Sequence, residues 1–142
     1  MEPALLGLVL DSSVLIAAER RNHTAVQAVE SVQKTMGEIP IMLSAVSVAE
    51  IGHGIYRART PEIRDRRRAF LDELKATVPI HPITEATAEI VARIGGEQAA
   101  QGIDLPLADL LIGACALELG YAVGTGNVRD FGRIPGLTVK QF

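Results

Sequence analysis

A single cysteine, Cys115, in 142 residues excludes an intramolecular disulfide framework and a cysteine-rich zinc site. Aromatic side chains make up only 4% of the chain, so base stacking contributes little to any contact with nucleic acid. No uninterrupted apolar run approaches the ~18–20 residues of a membrane span. The apolar start, Ala4 to Leu10, lacks a basic flank and meets Asp11 at once. It does not read as a signal peptide, and a reducing cytoplasm is the expected compartment. Positive charge is not in surplus either: fourteen Lys and Arg against seventeen Asp and Glu leave a formal charge of −3. That argues against a protein coating nucleic acid through bulk charge, yet allows an enzyme that works through a local basic strip. Repeats, low-complexity tracts and linkers are also missing. With 48% hydrophobic and 22% charged residues, one domain spanning residues 1–142 with its own core is expected.

Short apolar runs alternate with helical patterns. Leu5 to Leu10 reads as a strand buried on both faces. Ser12 or Ser13 can cap a helix to about Arg20, and Asn22 another to Lys34. Ile39–Leu43 is the next strand. Ser44 opens a helix from Val46 to Ala58, within which Ser47-x-x-Glu50 has capping-box spacing. Thr60-Pro61 starts a helix to about Ala76. Val78–Ile83 is a strand made less comfortable in a central position by Pro79 and Pro82. Thr84 caps the helix carrying Ile90, Val91 and Ile94, which ends by Gly102. Pro106 starts the most apolar helix, Leu107–Leu119, closed by Gly120. Tyr121–Gly124 and Leu137–Val139 are the last strands. This alternation predicts an α/β fold, a mainly parallel sheet of about four or five strands flanked by helices. In such sheets sites gather at the carboxyl ends of the strands.

Polar residues interrupt apolar surroundings at that rim. Asp11 ends the first strand, Glu50 lies early in the third helix, and Asp109 stands one turn into the apolar helix. Thr125-Gly126-Asn127-Val128-Arg129-Asp130 follows a strand and supplies Asn127 and Asp130. Each has a structural reading: Asp11 as a helix cap, Glu50 in a capping box, Asp109 answering a helix dipole. Together, several carboxylates on an apolar rim repel one another and are costly unless paired or on a metal. A hard cation with oxygen ligands, Mg²⁺ or Mn²⁺, is the simplest neutraliser.

Asp11-Ser12-Ser13 after an apolar strand, Ser44-x-x-Ser47-x-x-Glu50, Pro106-x-x-Asp109-x-x-Ile112, and Thr125-x-Asn127-x-x-Asp130-Phe131 occur in that order. From about Val9 to Val139 the chain resembles the PIN-domain ribonucleases, specifically the VapC toxins of bacterial toxin–antitoxin pairs. The resemblance implies a PIN-like fold and a metal-dependent endoribonuclease. It places Asp11, Glu50 and Asp109 at the family's metal-binding acids and Asn127 at the fourth position, with Asp130 as the other candidate. Ser13 and Thr125 match the hydroxyl positions that support those acids. It further implies Mg²⁺ as cofactor with Mn²⁺ as substitute, RNA as substrate, a homodimer, and a small VapB-type antitoxin. An acidic pocket suits an inserted Arg, which pairs with carboxylate in bidentate fashion. The apolar stretch Leu105–Gly124 offers surface for burial between subunits, or simply fills the core.

Two other functions fit parts of the sequence. A phosphoryl-transfer enzyme with Asp11 as nucleophile explains Asp11 alone and would want a second acid where Ser13 stands. A catalytically silent interaction module explains none of the acids. No Gly-x-Gly-x-x-Gly follows a strand, and Gly124-Thr125-Gly126-Asn127 lacks the Walker lysine. Six basic residues, Arg57, Arg59, Arg64, Arg66, Arg67 and Arg68, form either a solvated helix face or a phosphate-tracking strip. Cys115 reads as a small core residue, and His53, three residues after Glu50, as a surface or packed one.

Overall fold

A computed structural model describes residues 4–142. Five parallel strands form one sheet in the order β3-β2-β1-β4-β5. They are β1 (Leu8–Leu10), β2 (Ile41–Ser44), β3 (Ile80–His81), β4 (Ala122–Thr125) and β5 (Val139–Gln141). The helices are α1 (Ser12–Arg20), α2 (Ala25–Met36), α3 (Ala45–Tyr56), α4 (Pro61–Thr77), α5 (Glu85–Ala100), α6 (Leu107–Leu119) and α7 (Val128–Phe131). The expected α/β class and parallel sheet are therefore what the chain builds. Alternation along β1 explains its continuous apolar run: Leu8 and Leu10 enter a core with α1, α2, α3 and α4, and Val9 enters a second core with α5 and α6. Both faces of the sheet are covered, as a parallel sheet requires.

Local chemistry sets the boundaries, and several differ from expectation. The first strand begins at Leu8, not Leu5, and Leu6 is 68% exposed. Asn22 does not cap α2: it takes a left-handed turn conformation (φ 63°). Thr24 caps instead, its hydroxyl accepting from Gln27 N while the Gln27 side chain accepts from Thr24 N. The helix continues past Lys34 to Met36 and stops at Gly37, whose φ of 83° suits glycine. β3 keeps only Ile80–His81 of the expected run, because Pro79 and Pro82 on either side have no N–H to give a ladder. It sits at the sheet edge, where a proline-flanked strand belongs. The last strand starts at Val139, while Leu137 packs into the second core. The one-turn helix α7 was not legible as a periodic segment. Most of α6 fills the protein's own core, with Leu110, Ile112, Ala114, Cys115 and Ala116 buried, and Gly120 closes it in the left-handed conformation. Among the described residues no helix is long and apolar enough to cross a membrane.

Candidate active site

Strand order places β1 and β4 side by side at the centre, with crossovers running to opposite sides of the pair. That is the switch point where a parallel sheet opens a crevice beyond its strand ends. Asp11 leaves β1 there, with its backbone N–H donating to Gly124 O at 2.8 Å. The residue is buried, 6% exposed, and its carboxylate makes no helix-capping hydrogen bond. The capping reading therefore fails. Instead Ser13 Oγ donates to Asp11 Oδ2 at 2.7 Å and Thr125 Oγ1 donates to the same oxygen at 2.9 Å. Each hydroxyl has one hydrogen and gives it to Asp11, so their mutual 3.4 Å approach is a contact and not a third bond. Ser13 Oγ in turn accepts from Gly126 N at 3.1 Å, and Thr125 Oγ1 from Asn127 N at 2.9 Å. This locks the β4–α7 loop onto the Asp11 carboxylate while Oδ1 takes no protein donor among the described residues.

The capping-box reading of Glu50 fails as well. Ser44 is the cap of α3, accepting from Val46 N, and Ser47 Oγ is buried without a partner. Glu50 Oε1 accepts from Ser12 Oγ at 2.9 Å, a contact across 38 residues. The sequence gives Ser12 a capping reading and a place in the Asp11-Ser12-Ser13 motif but no role in the site, and its contact with Glu50 is new here. The available signal was the pair Ser12-Ser13: about 100° of helical rotation aims neighbouring side chains in different directions, one to Glu50 and the other back to Asp11.

Asp109, in the first turn of α6, is half-buried, and its carboxyl is pushed up to about 6. Burial is the largest cause, followed by the charges of Asp11, Asp130 and Glu50. Four carboxylates from four parts of the chain thus share one field. Asp130 contributes its charge to this field, whereas Asn127 contributes a backbone N–H to Thr125 and makes no side-chain hydrogen bond among the described residues.

The donors are all oxygen, which suits Mg²⁺ or Mn²⁺ and not a soft metal. Among the described residues no three His, Cys, Asp or Glu side chains enclose an ion unaided. Mg²⁺ is content with that, since it keeps several waters and takes one or two carboxylates plus substrate phosphate. Asp11 Oδ1, which has no protein donor among the described residues, and the carboxylate charge around Asp109 are compatible with such an ion.

Of the basic run, Arg66 pairs with Glu19 at 3.0 Å, Arg67 donates to Gly54 O at 2.7 Å, and Arg68 donates to the Tyr56 hydroxyl at 3.1 Å. These three tie α4 to α1 and α3, which is a structural role. His53 lines a cavity beside Glu50 but makes no hydrogen bond through its side chain among the described residues. Cys115 is buried, and burial pushes its thiol up to about 12, so it is inert at neutral pH.

The PIN-domain family model matches residues 8–137. A ribonuclease VapC1 of Rickettsia felis is 32% identical over 134 residues, covering 94% of this chain and 95% of its own. Among solved structures, VapBC2 from Rickettsia felis bound to a promoter DNA fragment superposes with a TM-score of 0.81 at 18% identity, over 96% of this chain and 98% of that one. VapBC-5 of Mycobacterium tuberculosis, from the VapBC family of toxin–antitoxin systems, superposes with a TM-score of 0.71 at 28% identity, over 99% and 98% of the two chains. The sheet order, the hydroxyl-bound Asp11 and these matches converge: the chain belongs to the PIN-domain family, among its VapC-type members.

Proposed function

We propose that the chain is a metal-dependent endoribonuclease and the toxin of a toxin–antitoxin pair, acting as a single catalytic domain. The observation that carries this reading is the Asp11 carboxylate, fixed through one oxygen by Ser13 and Thr125, with its charge bearing on Asp109 together with those of Asp130 and Glu50. A resident Mg²⁺, or Mn²⁺ in its place, would supply a Lewis acid for a phosphate oxygen and lower the pKa of a water. Asp11 and Asp109 would hold it, with Glu50 close enough in charge to share the load or to bridge to a second ion. The Ser13 and Thr125 hydroxyls keep Asp11 in one rotamer, so ligand geometry is set before substrate arrives. Glu50, oriented by Ser12, orients the attacking water or takes up its proton. In-line attack on phosphorus then breaks the bond to the 3′ oxygen, which takes a proton from solvent, leaving a 5′-phosphate and a 3′-hydroxyl with no side-chain nucleophile. Asp130 supplies the fourth carboxylate in this reading, and Asn127 serves the loop.

Partners follow in this proposal from kinship to VapC proteins and from surface chemistry: a VapB-type antitoxin presenting an Arg to the acids, and a homodimer in the cytoplasm. Leu107, 64% exposed at the start of α6, and Val128, 38% exposed at the start of α7, are apolar surface beside the acids that a second copy would cover. Incubating the purified chain with total RNA and mapping the ends of the products tests the chemistry. New 5′-phosphate ends that require Mg²⁺ are expected; 5′-hydroxyl ends, which signal attack by a neighbouring 2′-hydroxyl, would refute water as the nucleophile.

A further inference from the structure

Beside the acids lies a cavity of about 380 Å³ between α1, α3 and α4. Glu50 belongs to its wall and Asp11, Asp109 and Asp130 do not, so the cavity borders the proposed catalytic centre on its Glu50 side. Arg20, Arg57 and Arg59 line it. All three are exposed, and none makes an ion pair or side-chain hydrogen bond among the described residues. They differ in this from Arg66, Arg67 and Arg68, each of which has a protein partner. The other acid of the wall, Glu19, is already neutralised by Arg66 at 3.0 Å, so the charge left over on this side is positive. Arg20 ends α1 and Arg57 caps α3, where a cation also complements the helix dipole. That role does not account for Arg59, in the turn after α3, nor for three free guanidiniums on one cavity. The floor includes Ile16 and Ile63, half-buried apolar surface against which unstacked bases can lie.

We propose that this cavity is the path of the RNA strand to one side of the cut, with Arg20, Arg57 and Arg59 holding its phosphates. The inference rests on the ribonuclease reading and assigns that site its flanking-strand subsite. Arg57 lies seven positions after Glu50, roughly 10 Å along the helix axis. That is about three residues of a stacked strand at about 3.4 Å each, so the contact is to phosphates beyond the scissile one. Three unpaired cations on a cavity that borders the acids suit a polyanion that must pass both. Being sequence-independent, they supply affinity and not choice of RNA.

The test is fluorescence anisotropy with a fluorescein-labelled, random-sequence single-stranded RNA pool of roughly 20 nucleotides, between about 50 and 200 mM salt. The full chain carries Asp109→Asn, so that no strand is cut. Adding Arg20→Gln, Arg57→Gln and Arg59→Gln together should weaken binding by about tenfold or more and flatten the log–log salt slope by about 2. Arg93→Gln on α5, as a control, should change neither. Circular dichroism melts establish that every variant is folded, as exposed arginines allow. Unchanged affinity and slope in the triple variant, or no measurable binding by its parent, overturns the proposal. So does a triple variant that binds RNA normally yet loses an acidic partner peptide, which would make the cavity a protein site. RNA cleavage by the native chain is scored separately. If it cuts while the triple variant binds like its parent, this subsite falls and the nuclease stands.

Discussion

Asp11 depends on partners distant in sequence, and that makes its surroundings testable residue by residue. Thr125 is fully buried and donates to Asp11 Oδ2 from a strand more than a hundred residues away. Thr125→Val preserves shape and removes only that donor. It should leave the fold intact and weaken Mn²⁺ binding about tenfold or more, as loss of a group supporting a metal ligand does; calorimetric titration measures this. The acids also predict a pH dependence of stability for the metal-free protein. Asp109 titrates near 6 in the folded state, pushed up by burial and then by Asp11, Asp130 and Glu50. In the unfolded chain it titrates at about 3.9. Between these values the folded state holds the extra proton, so stability falls as pH rises from about 4 to about 6 and stays lowered above. Asp109→Asn should flatten that slope in a melting series, and saturating Mg²⁺ should raise the melting temperature more at pH 7 than at pH 5. A melting temperature that rises through this window by the same amount in both proteins contradicts the shared field. At this scale the acids were legible, because charge inside apolar runs is costly and demands a reason. Ser12 was not: its partner Glu50 lies 38 residues on, and a local pattern, Ser47-x-x-Glu50, offered a capping box that the fold does not use.

Among the elements, β1 and β4 carry the site, and their junction is tight. A Cβ on Gly124 would stand 2.8 Å from the Phe142 ring and 3.1 Å from both Leu8 and Leu10 side chains. Gly124 O also accepts the Asp11 N–H. Gly124→Ala should therefore cost about 1–3 kcal/mol of stability through overpacking and reduce cleavage by shifting Asp11 against Thr125. Denaturant melts and initial rates read the two effects, and a stable, fully active variant would show that the strand pair tolerates movement. Element types were legible because hydrophobic periodicity and the caps Ser44, Thr60 and Thr84 act locally. Boundaries were not, where they depend on what a segment packs against: Leu137 reads as strand but belongs to the second core. A four-residue helix such as α7 has too little period to announce itself.

For the molecule as a whole, strand order was not in the sequence. Only pairing of β1 with both β2 and β4 creates the crevice where the charges of Asp11, Glu50 and Asp130 bear on Asp109. Leu107 and Val128 are exposed, and the proposed second copy would cover them. Expression alone should arrest growth, and co-expression with its neighbouring gene should relieve the arrest and yield a co-purifying small protein. Light scattering should show a dimer that Leu107→Glu shifts towards monomer; a monomeric native chain would remove the second-copy reading while leaving the nuclease intact. The most direct test of the central claim is the rate of RNA cleavage as Mg²⁺ is titrated into the chelator-stripped native chain and its Asp11→Asn variant. The account predicts activity that appears with Mg²⁺, vanishes with excess chelator, and is abolished in a variant that remains folded. Cleavage by the native chain in excess chelator, or full activity of Asp11→Asn, would contradict it.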